Sequence, residues 1–382
     1  MPALPLYPVT VVGSWPRPDW LLDAMKRKKA NLAELQDQAT LLAIKLQEDA
    51  GVDIVSDGEQ RRDNFYSFLC DRLDGLRLMS MADLLDHVED KAGFETLLSA
   101  LDVPAFSIRN PTVTGKLSVR KPLAMDDYRF LRGHTRRAVK VTLPGPYLLS
   151  RSMWVKSLSS ASYPTRESLC DDVVRLLRDE VLALAAAGAD VVQLDEPVLT
   201  ELVFAGKAAT RTFMCAALAA SASPEAELEL AVSLVNRVVE GVTGTLTAVH
   251  VCRGNWSVKE DVLLSGPYDL LMPTLSRMAV GQYVLEYATP RAGSLDALRQ
   301  LPPGARLGLG AVNPRTTDVE EPETIAARAR EAARVLSPDR IHLNPDCGFG
   351  TFADRPVGTA ETAFLKMTAL ARAAEQLRAR PL

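Results

Sequence analysis

Two short segments of the sequence carry side chains that could bind a metal ion. His250 and Cys252 form an HxC pair in the segment HVCRGNW, and Cys347 lies in the segment HLNPDCGFG. Residues two apart in a β-strand point to the same side, so the pair presents an imidazole and a thiolate together. With the carboxylate of Glu286, these groups make a tetrahedral, borderline-soft set that suits zinc. Glu286 would be the weakest ligand, so an incoming substrate could replace it.

The alternative interpretation is that these residues belong to an ordinary hydrophobic core. An HxC pair in a strand is more often buried in the core without a metal. A single distant cysteine is similarly unremarkable as evidence for a metal site. The metal hypothesis therefore depends on whether the elements that carry these residues bring them to one level of one sheet.

Eight short runs rich in β-branched residues alternate with helix-like segments, a pattern typical of parallel sheets. The runs lie at 10–14, 53–57, 139–143, 190–196, 246–252, 283–288, 305–312 and 341–347. Helices are predicted at 31–51, 166–188, 225–241, 294–301 and 323–336. Eight strand–helix units match a closed barrel, whereas doubly wound sheets typically use five or six strands. We therefore predict an α/β fold, a (β/α)8 TIM barrel with an insertion after the second strand.

The stretch 60–138 is too long for a single crossover between strands. It contains a predicted helical part at 82–101 and extended parts at 112–119 and 128–131. We interpret it as an excursion over the barrel mouth, inside a single domain that covers residues 1–382.

Polar residues follow several of the predicted strands, at the barrel end where enzymes of this fold place catalytic groups. Ser14, Glu59 and Asp195 are the most informative of them. Each could also serve the fold alone: Ser14 could cap a helix, Asp195 could end a strand before a proline, and Glu59 could pair with Arg61 or Arg62 on the surface. Convergence of the strand ends favours a shared site instead.

Six motifs in one order give the chain a resemblance to the catalytic domain of cobalamin-independent methionine synthases. They are VGS at 12–14, DGE at 57–59, QLDEP at 193–197, HVC at 250–252, LE at 285–286 and NPDCG at 344–348. The resemblance implies a zinc site with four ligands, His250, Cys252, Glu286 and Cys347. It also implies a site for the amino-acid part of homocysteine, formed by Ser14, Glu59 and Asp195. Methyl transfer to homocysteine, giving methionine, is the activity that follows.

The chain departs from this family where the methyl donor binds. Family members carry a histidine after the seventh strand that assists proton transfer to folate, but here the segment GLGAVNPRT has Asn313 and Arg315. An asparagine cannot act as a general acid. Trp154 matches a family tryptophan associated with the pterin, although a tryptophan at a barrel rim can equally serve packing. Only the catalytic barrel is recognisable, so the donor is either methylcobalamin or another corrinoid, with an accessory protein, or methyltetrahydrofolate.

Two other functions remain open. A related branch of the family joins epoxides to coenzyme M, and four arginines could bind its sulfonate, Arg61, Arg62, Arg253 and Arg315. A noncatalytic zinc- or thiol-binding barrel, or a metal-free relative of the uroporphyrinogen decarboxylase type, is the alternative outside this class. The HxC pair, the glutamate and the distant cysteine argue against a metal-free relative. The Glu59 and Asp195 pair argues against a noncatalytic zinc or thiol carrier.

Composition and charge set the remaining expectations. The 382 residues are 47% hydrophobic and 24% charged, so a large core can be buried. A formal net charge of −4 gives no reason to expect nucleic acid or a membrane surface as partner. No apolar run approaches the roughly 18 residues of a spanning helix, and the first residues lack a leader pattern. Five scattered cysteines argue against a secreted disulfide framework, so we expect a cytoplasmic protein with reduced thiols.

Overall fold

A curled sheet of parallel strands forms the centre of the structure. The computed structural model describes residues 4–87, 91–92, 94–95, 109–204, 223–255, 257–259, 263–353 and 355–380. The strands in these ranges are β1 (Ile54–Val55), β2 (Leu73–Ser80), β3 (Arg109–Val119), β4 (Ala138–Pro144), β5 (Val191–Asp195), β6 (Leu246–Val251), β7 (Gln282–Glu286), β8 (Arg306–Val312) and β9 (Ile341–Pro345). Seven of them pair in parallel in the order β1-β4-β5-β6-β7-β8-β9.

The segment around Val9 and Thr10 occupies the eighth strand position and closes the sheet into a barrel. Val9 forms a parallel bridge with Leu343 of β9, and Thr10 forms one with Ile54 of β1. The Thr10 amide donates to the Leu343 carbonyl at 2.9 Å, and the Ile54 amide donates to the Val9 carbonyl at 3.1 Å. The (β/α)8 TIM barrel predicted from the sequence is confirmed. The first predicted strand, 10–14, is displaced, because its pairing ends at Thr10.

Thirteen α-helices are assigned in the described ranges. They are α1 (Asp19–Arg27), α2 (Leu32–Asp49), α3 (Leu69–Arg72), α4 (Met81–Leu84), α5 (Met125–His134), α6 (Pro146–Met153), α7 (Lys156–Ser159), α8 (Arg166–Ala186), α9 (Leu199–Phe204), α10 (Pro224–Val239), α11 (Met272–Leu275), α12 (Pro322–Ala332) and α13 (Ala360–Ala379). No helix in this part of the chain is both long enough and apolar enough to cross a membrane.

The predicted helices agree with α2, α8, α10 and α12, and local signals explain where they begin and end. For α8, the Thr165 side chain accepts a hydrogen bond from the Ser168 amide and completes a capping box. The chain leaves this helix through Gly188, whose φ of +90° suits glycine. The helix predicted at 294–301 is instead a short 3-10 helix, Leu295–Gln300.

The insertion after β1 contains an antiparallel ribbon of β2 and β3. The extended part predicted at 112–119 is confirmed as part of β3. The one predicted at 128–131 is wrong, because it lies in α5, where Tyr128 and Leu131 are buried three residues apart on one helix face. The predicted helix at 82–101 starts with α4, but half of it lies outside the described residues. The boundaries of 60–138 as an excursion, and of 1–382 as one domain, stay predictions.

Alternation along the strands decides which side chains reach the barrel mouth. An apolar cluster that includes Ala248 of β6, Val284 of β7 and Val191 of β5 is separate from the larger core of the molecule. Positions two residues further along each strand point to the same side. His250 follows Ala248 by this rule, and Glu286 follows Val284. In β6 and β7 the barrel therefore directs a polar group from the strand end toward the mouth.

We predict that Asp53→Ala destabilises the barrel closure. Asp53 Oδ2 accepts the Val9 amide at 2.9 Å and an Arg378 N–H at 2.8 Å. Because Val9 is fully buried, removing the acceptor should lower the free energy of unfolding by about 1–3 kcal/mol. Urea denaturation would measure the change. Asp49→Ala, which removes an exposed ion pair with Lys45, is the control, and an equal loss in both variants would contradict the prediction.

Candidate active site

A cavity opens at the carboxyl ends of the strands, with about 490 Å³ of empty space when the open solvent at its mouth is included. It is lined by Val12, Gly13, Ser14, Glu59, Phe65, Asp195, Pro197, His250, Cys252, Asn255, Cys347, Gly348, Thr351 and Phe352. Six of the eight site residues predicted from the sequence therefore lie together. The two that do not line the cavity are Glu286 and Trp154.

Three soft side chains converge on one side of this cavity. His250 lies near the end of β6, Cys252 directly follows that strand, and Cys347 follows β9. The candidate ligand atoms of the three residues all lie within 4.8 Å of one another, and all three residues are buried. One imidazole and two thiols at this spacing fit a single zinc ion with a fourth position left for another ligand.

A hydrogen bond to Asp195 orients the ring of His250. Nδ1 of His250 lies 3.1 Å from Oδ1 of Asp195, while Nε2 has no hydrogen-bond partner among the described residues. A carboxylate behind a histidine is the usual support for a metal ligand, because it fixes the tautomer that leaves the other nitrogen free. Burial lowers the pKa of His250, but Asp195 and the charge of Cys252 outweigh it and raise the pKa to about 9.

The two cysteines share a hydrogen bond. The contact from Cys347 lowers the pKa of Cys252, although burial opposes this change. The same contact, together with burial, raises the pKa of Cys347 well above its ordinary value. Cys252 is therefore the thiol that ionises first, and a cation at this place would favour ionisation of both.

Glu286, the fourth predicted ligand, contacts arginines instead of the other three residues. Its carboxylate lies 3.5–3.6 Å from nitrogen atoms of Arg253, Arg291 and Arg315. Glu286 ends β7, beside β6, so it belongs to the same end of the barrel. The structure does not include it in the cluster of His250 and the two cysteines, and its role as a ligand stays a prediction.

Glu59 reaches the cavity through a strained turn. Gly58 and Glu59 both have positive φ values, +64° and +55°, and the Glu59 amide donates to Asp57 Oδ1 at 3.0 Å. A non-glycine residue in this region costs of order 1–3 kcal/mol and often marks a functional position. The Thr142 hydroxyl donates to Glu59 Oε1 at 2.8 Å. Burial raises the pKa of Glu59, Arg62 lowers it, and Asp195 raises it further.

Ser14 lies in the loop that follows the Val9–Thr10 strand segment, at the barrel mouth. Its hydroxyl accepts the Gly350 amide at 3.2 Å, and a side chain at Gly348 would collide with it. Gln193 connects this region to the other polar residues, because its Nε2 donates to the Val12 carbonyl at 3.0 Å and to Asp195 at 2.8 Å. The side-chain amide of Gln193 thus holds both the backbone before Ser14 and the carboxylate of Asp195.

Four residues of the cavity wall were not identified from the sequence. Asn255 Nδ2 donates to the Gly348 carbonyl at 2.5 Å and to the Thr351 hydroxyl at 3.0 Å, which connects the loops after β6 and β9. Phe65 and Phe352 meet edge to face, with ring centroids 6.5 Å apart. Asn255, Thr351 and Phe352 lie within five residues of a motif cysteine, which was a usable signal. Phe65 lies in the insertion, and no sequence pattern pointed to it.

The residues predicted for the donor side lie outside the cavity wall. The Trp154 indole donates to the Tyr163 carbonyl at 3.1 Å and is partly buried against the large core. The Asn313 side-chain oxygen accepts a hydrogen bond from the Arg315 backbone amide at 3.1 Å, and the Asn313 backbone amide donates to Glu320 Oε1 at 2.7 Å. The structure therefore gives Trp154 a packing contact and Asn313 a turn-forming contact.

The chain is similar in sequence to known proteins. The family described as "Cobalamin-independent synthase, Catalytic domain" matches residues 7–373. A methionine synthase of Thermococcus kodakarensis is 27% identical over 352 residues, which cover 90% of this chain and 87% of the relative. One from Saccharolobus solfataricus is 26% identical over 355 residues, covering 91% and 90%.

Solved structures share the fold. A B12-independent methionine synthase from a Shewanella species, in complex with selenomethionine, has a TM-score of 0.75 at 24% identity and covers 98% of both chains. A methyltransferase from Methanosarcina mazei has a TM-score of 0.54 at 16% identity, covering 98% of this chain and 95% of that one. At these identities the likeness concerns the fold alone.

We predict one tightly bound zinc ion per chain, and its loss in Cys252→Ser and Cys347→Ser. A hydroxyl lacks both the charge and the polarizability of a thiolate, so bound zinc should fall from about one ion to a small fraction of that. Elemental analysis of protein purified without chelator would measure it. Cys170→Ser, a buried cysteine outside the cluster, should keep its zinc. Full metal content in the two cluster variants would contradict the assignment.

Proposed function

The chain belongs to the cobalamin-independent synthase family through its catalytic domain, and from this premise we propose that it is a zinc-dependent methyltransferase that methylates the sulfur of homocysteine to give methionine. The observation that carries the proposal is one cavity shared by a His-Cys-Cys cluster and two carboxylates. The cluster suits a metal and a thiol, and the carboxylates Glu59 and Asp195 suit the ammonium group of an amino acid.

The metal half of the site would be formed by His250, Cys252 and Cys347, with Glu286 as a displaceable fourth ligand. When bound, zinc supplies the positive charge that allows a thiol with a pKa near ~8.5 to become a thiolate at neutral pH. Asp195 fixes the His250 ring with Nε2 free for this purpose. The two cysteines serve as ligands, so the proposal does not assign them a role as methyl acceptors.

The carboxylate half of the site would bind the amino-acid end of homocysteine. Glu59 and Asp195 both line the cavity, and the charge of Asp195 raises the pKa of Glu59, so a bound ammonium would relieve this repulsion. The Ser14 hydroxyl lies in the same wall and offers a further polar contact. Binding the amino-acid end of the substrate fixes the position of the sulfur at its other end. The reaction is then faster, because the reacting sulfur is already held in the required orientation.

The aromatic pair Phe65 and Phe352 would exclude water from the reacting sulfur. Both rings line the cavity, and exclusion of water strengthens the charge interactions inside it. The pair also supports the interpretation of 60–138 as an excursion over the mouth of a single-domain barrel. Asn64, at its start, forms an antiparallel bridge with Phe352, and the Ala353 amide donates to the Asp63 carbonyl at 2.8 Å.

The alternative of epoxide addition to coenzyme M gains no support from the arginines considered for its sulfonate. None of the four lines the cavity. Arg61 pairs with Asp37, and Arg62 donates to Thr142 at 3.1 Å. Arg253 and Arg315 both contact Glu286. A noncatalytic barrel is less well supported too, since a simple metal carrier has no use for a carboxylate pair beside the metal.

For the donor, we infer that an activated methyl group is used more readily than methyltetrahydrofolate. Folate leaves poorly unless its nitrogen is protonated, and Asn313 cannot deliver a proton. Even with open solvent included, the empty space of about 490 Å³ is too small to enclose a corrinoid ring. A corrinoid, free or on an accessory protein, would therefore present its methyl group at the cavity mouth.

We predict that Glu59→Gln weakens the binding of homocysteine about 10–100-fold, because a charge-assisted hydrogen bond to the ammonium group is lost. Binding of 4-mercaptobutyrate, the same thiol without the amino group, should change little. Titration calorimetry of the zinc-loaded protein would measure both. Glu34→Gln, on the exposed surface of α2, is the control. Equal weakening of both thiols would refute the ammonium site. Glu59 is the better target, since Asp195 also supports His250.

We also predict that methyltetrahydrofolate alone is a poor donor compared with methylcobalamin. The missing general acid should cost on the order of 10²–10⁴ in rate with the folate, whereas the thiol half of the site is unaffected. The measurement is methionine formed from homocysteine by zinc-loaded protein with each donor in parallel. Efficient turnover with the folate alone would show that another group performs the proton transfer, and the interpretation of Asn313 would be abandoned.

A further inference from the structure

The carboxylate of Glu286 lies among three arginines to which the proposed reaction assigns no role. Glu286 Oε2 is 3.6 Å from Arg253 Nη1 and 3.6 Å from Arg291 Nη2, and Oε1 is 3.5 Å from Arg315 Nη1. The side chains of Arg253 and Arg315 are fully buried, and that of Arg291 is 10% exposed. Charge contacts in such a dry place are much stronger than on the surface, so these arginines strongly influence where Glu286 points.

Contacts that do not involve Glu286 hold two of the arginines in place. Arg253 donates to the Gly266 carbonyl from Nε at 3.0 Å and from Nη2 at 2.6 Å, and its guanidinium lies 4.0 Å above the Tyr268 ring. Arg315 Nη1 donates to the Gly254 carbonyl at 3.4 Å. Arg253 and Arg315 are therefore held by contacts that do not depend on the Glu286 carboxylate.

We propose that Arg253, Arg291 and Arg315 are positioning residues that hold Glu286 away from the metal, so that the fourth ligand position is available to the substrate sulfur. The inference rests on the proposed function. The other three predicted ligands lie within 4.8 Å of one another, and Glu286 is not among them. One carboxylate thus has two competing places, the arginine cluster and the metal.

This competition predicts opposite changes in two affinities. A substrate thiolate and the Glu286 carboxylate compete for one ligand position, and the arginines stabilise the state in which the carboxylate has left. Weakening the arginine cluster should make Glu286 a better metal ligand, so zinc binds more tightly and homocysteine more weakly. General damage to the fold would weaken both, which separates the positioning role from a structural one.

Arg291→Gln is the test variant, because Arg291 is the most exposed of the three and the most tolerant of change. Zinc affinity is measured by competition with a chromophoric chelator, and homocysteine affinity by calorimetry on the zinc-loaded protein. We expect zinc to bind more tightly and homocysteine more weakly, each on the order of tenfold. Arg291→Lys should keep most of the wild-type behaviour. Arg166→Gln, a control with similar burial whose partner is Glu227, should change neither affinity.

The same substitution in a Glu286→Gln background distinguishes positioning from simple electrostatics. Removing a positive charge near the metal would by itself strengthen zinc binding and weaken thiolate binding. This electrostatic effect would be the same with glutamate or glutamine at position 286. The proposal requires that most of both effects disappear in Glu286→Gln, and effects of unchanged size there would overturn it. If the wild-type protein binds zinc and homocysteine but Arg291→Gln changes neither affinity, only this inference fails. If the wild-type protein binds no zinc, the proposed function fails and this inference with it.

Discussion

Closure of the barrel is the constraint on which the site depends. The segment around Val9 and Thr10 pairs with β9 on one side and β1 on the other, so the first and last strands become neighbours. Without this closure, Ser14 would lie at one edge of an open sheet and Cys347 near the other. With it, the Phe349 amide donates to the Ser14 carbonyl at 3.0 Å, and residues from opposite ends of the chain share one cavity wall.

Charge is distributed unevenly around this closed mouth. Glu286 and Asp346 are surrounded by arginines on one side, while the nearest polar contacts of Asp195 are Gln193 and the ring of His250. Buried charges are costly unless they are paired, and arginines compensate Glu286 and Asp346. Asp195 shares the cavity with Glu59, so an ammonium group bound between them would add positive charge beside this carboxylate pair. Burial and the neighbouring carboxylate Glu286 raise the pKa of Asp346 to about 7, even though Arg315 opposes them.

In the proposed function, Asp195 would couple the metal half of the site to the substrate half. The same carboxylate orients His250 at 3.1 Å and lines the cavity where an ammonium group would bind. Gln193 ties it to the backbone that leads to Ser14. In the proposed function, a change in charge at Asp195 would therefore act on both the metal ligand His250 and the bound substrate. Glu196, the next residue, serves the fold instead, since it accepts the Tyr147 and Leu148 amides at the start of α6.

By itself, the sequence determined the parallel barrel with eight strand positions and six of the cavity residues. These follow from local rules: strand alternation sets the direction of His250 and Cys252, and strand ends in a parallel barrel meet at one face. Only the tertiary structure decided that Glu286 lies among arginines, that Trp154 packs on Tyr163, and that Phe65 reaches the cavity. The physical reason is that these outcomes depend on loop paths and on the balance of buried charges between distant segments. Periodicity within one strand or helix carries no information about either.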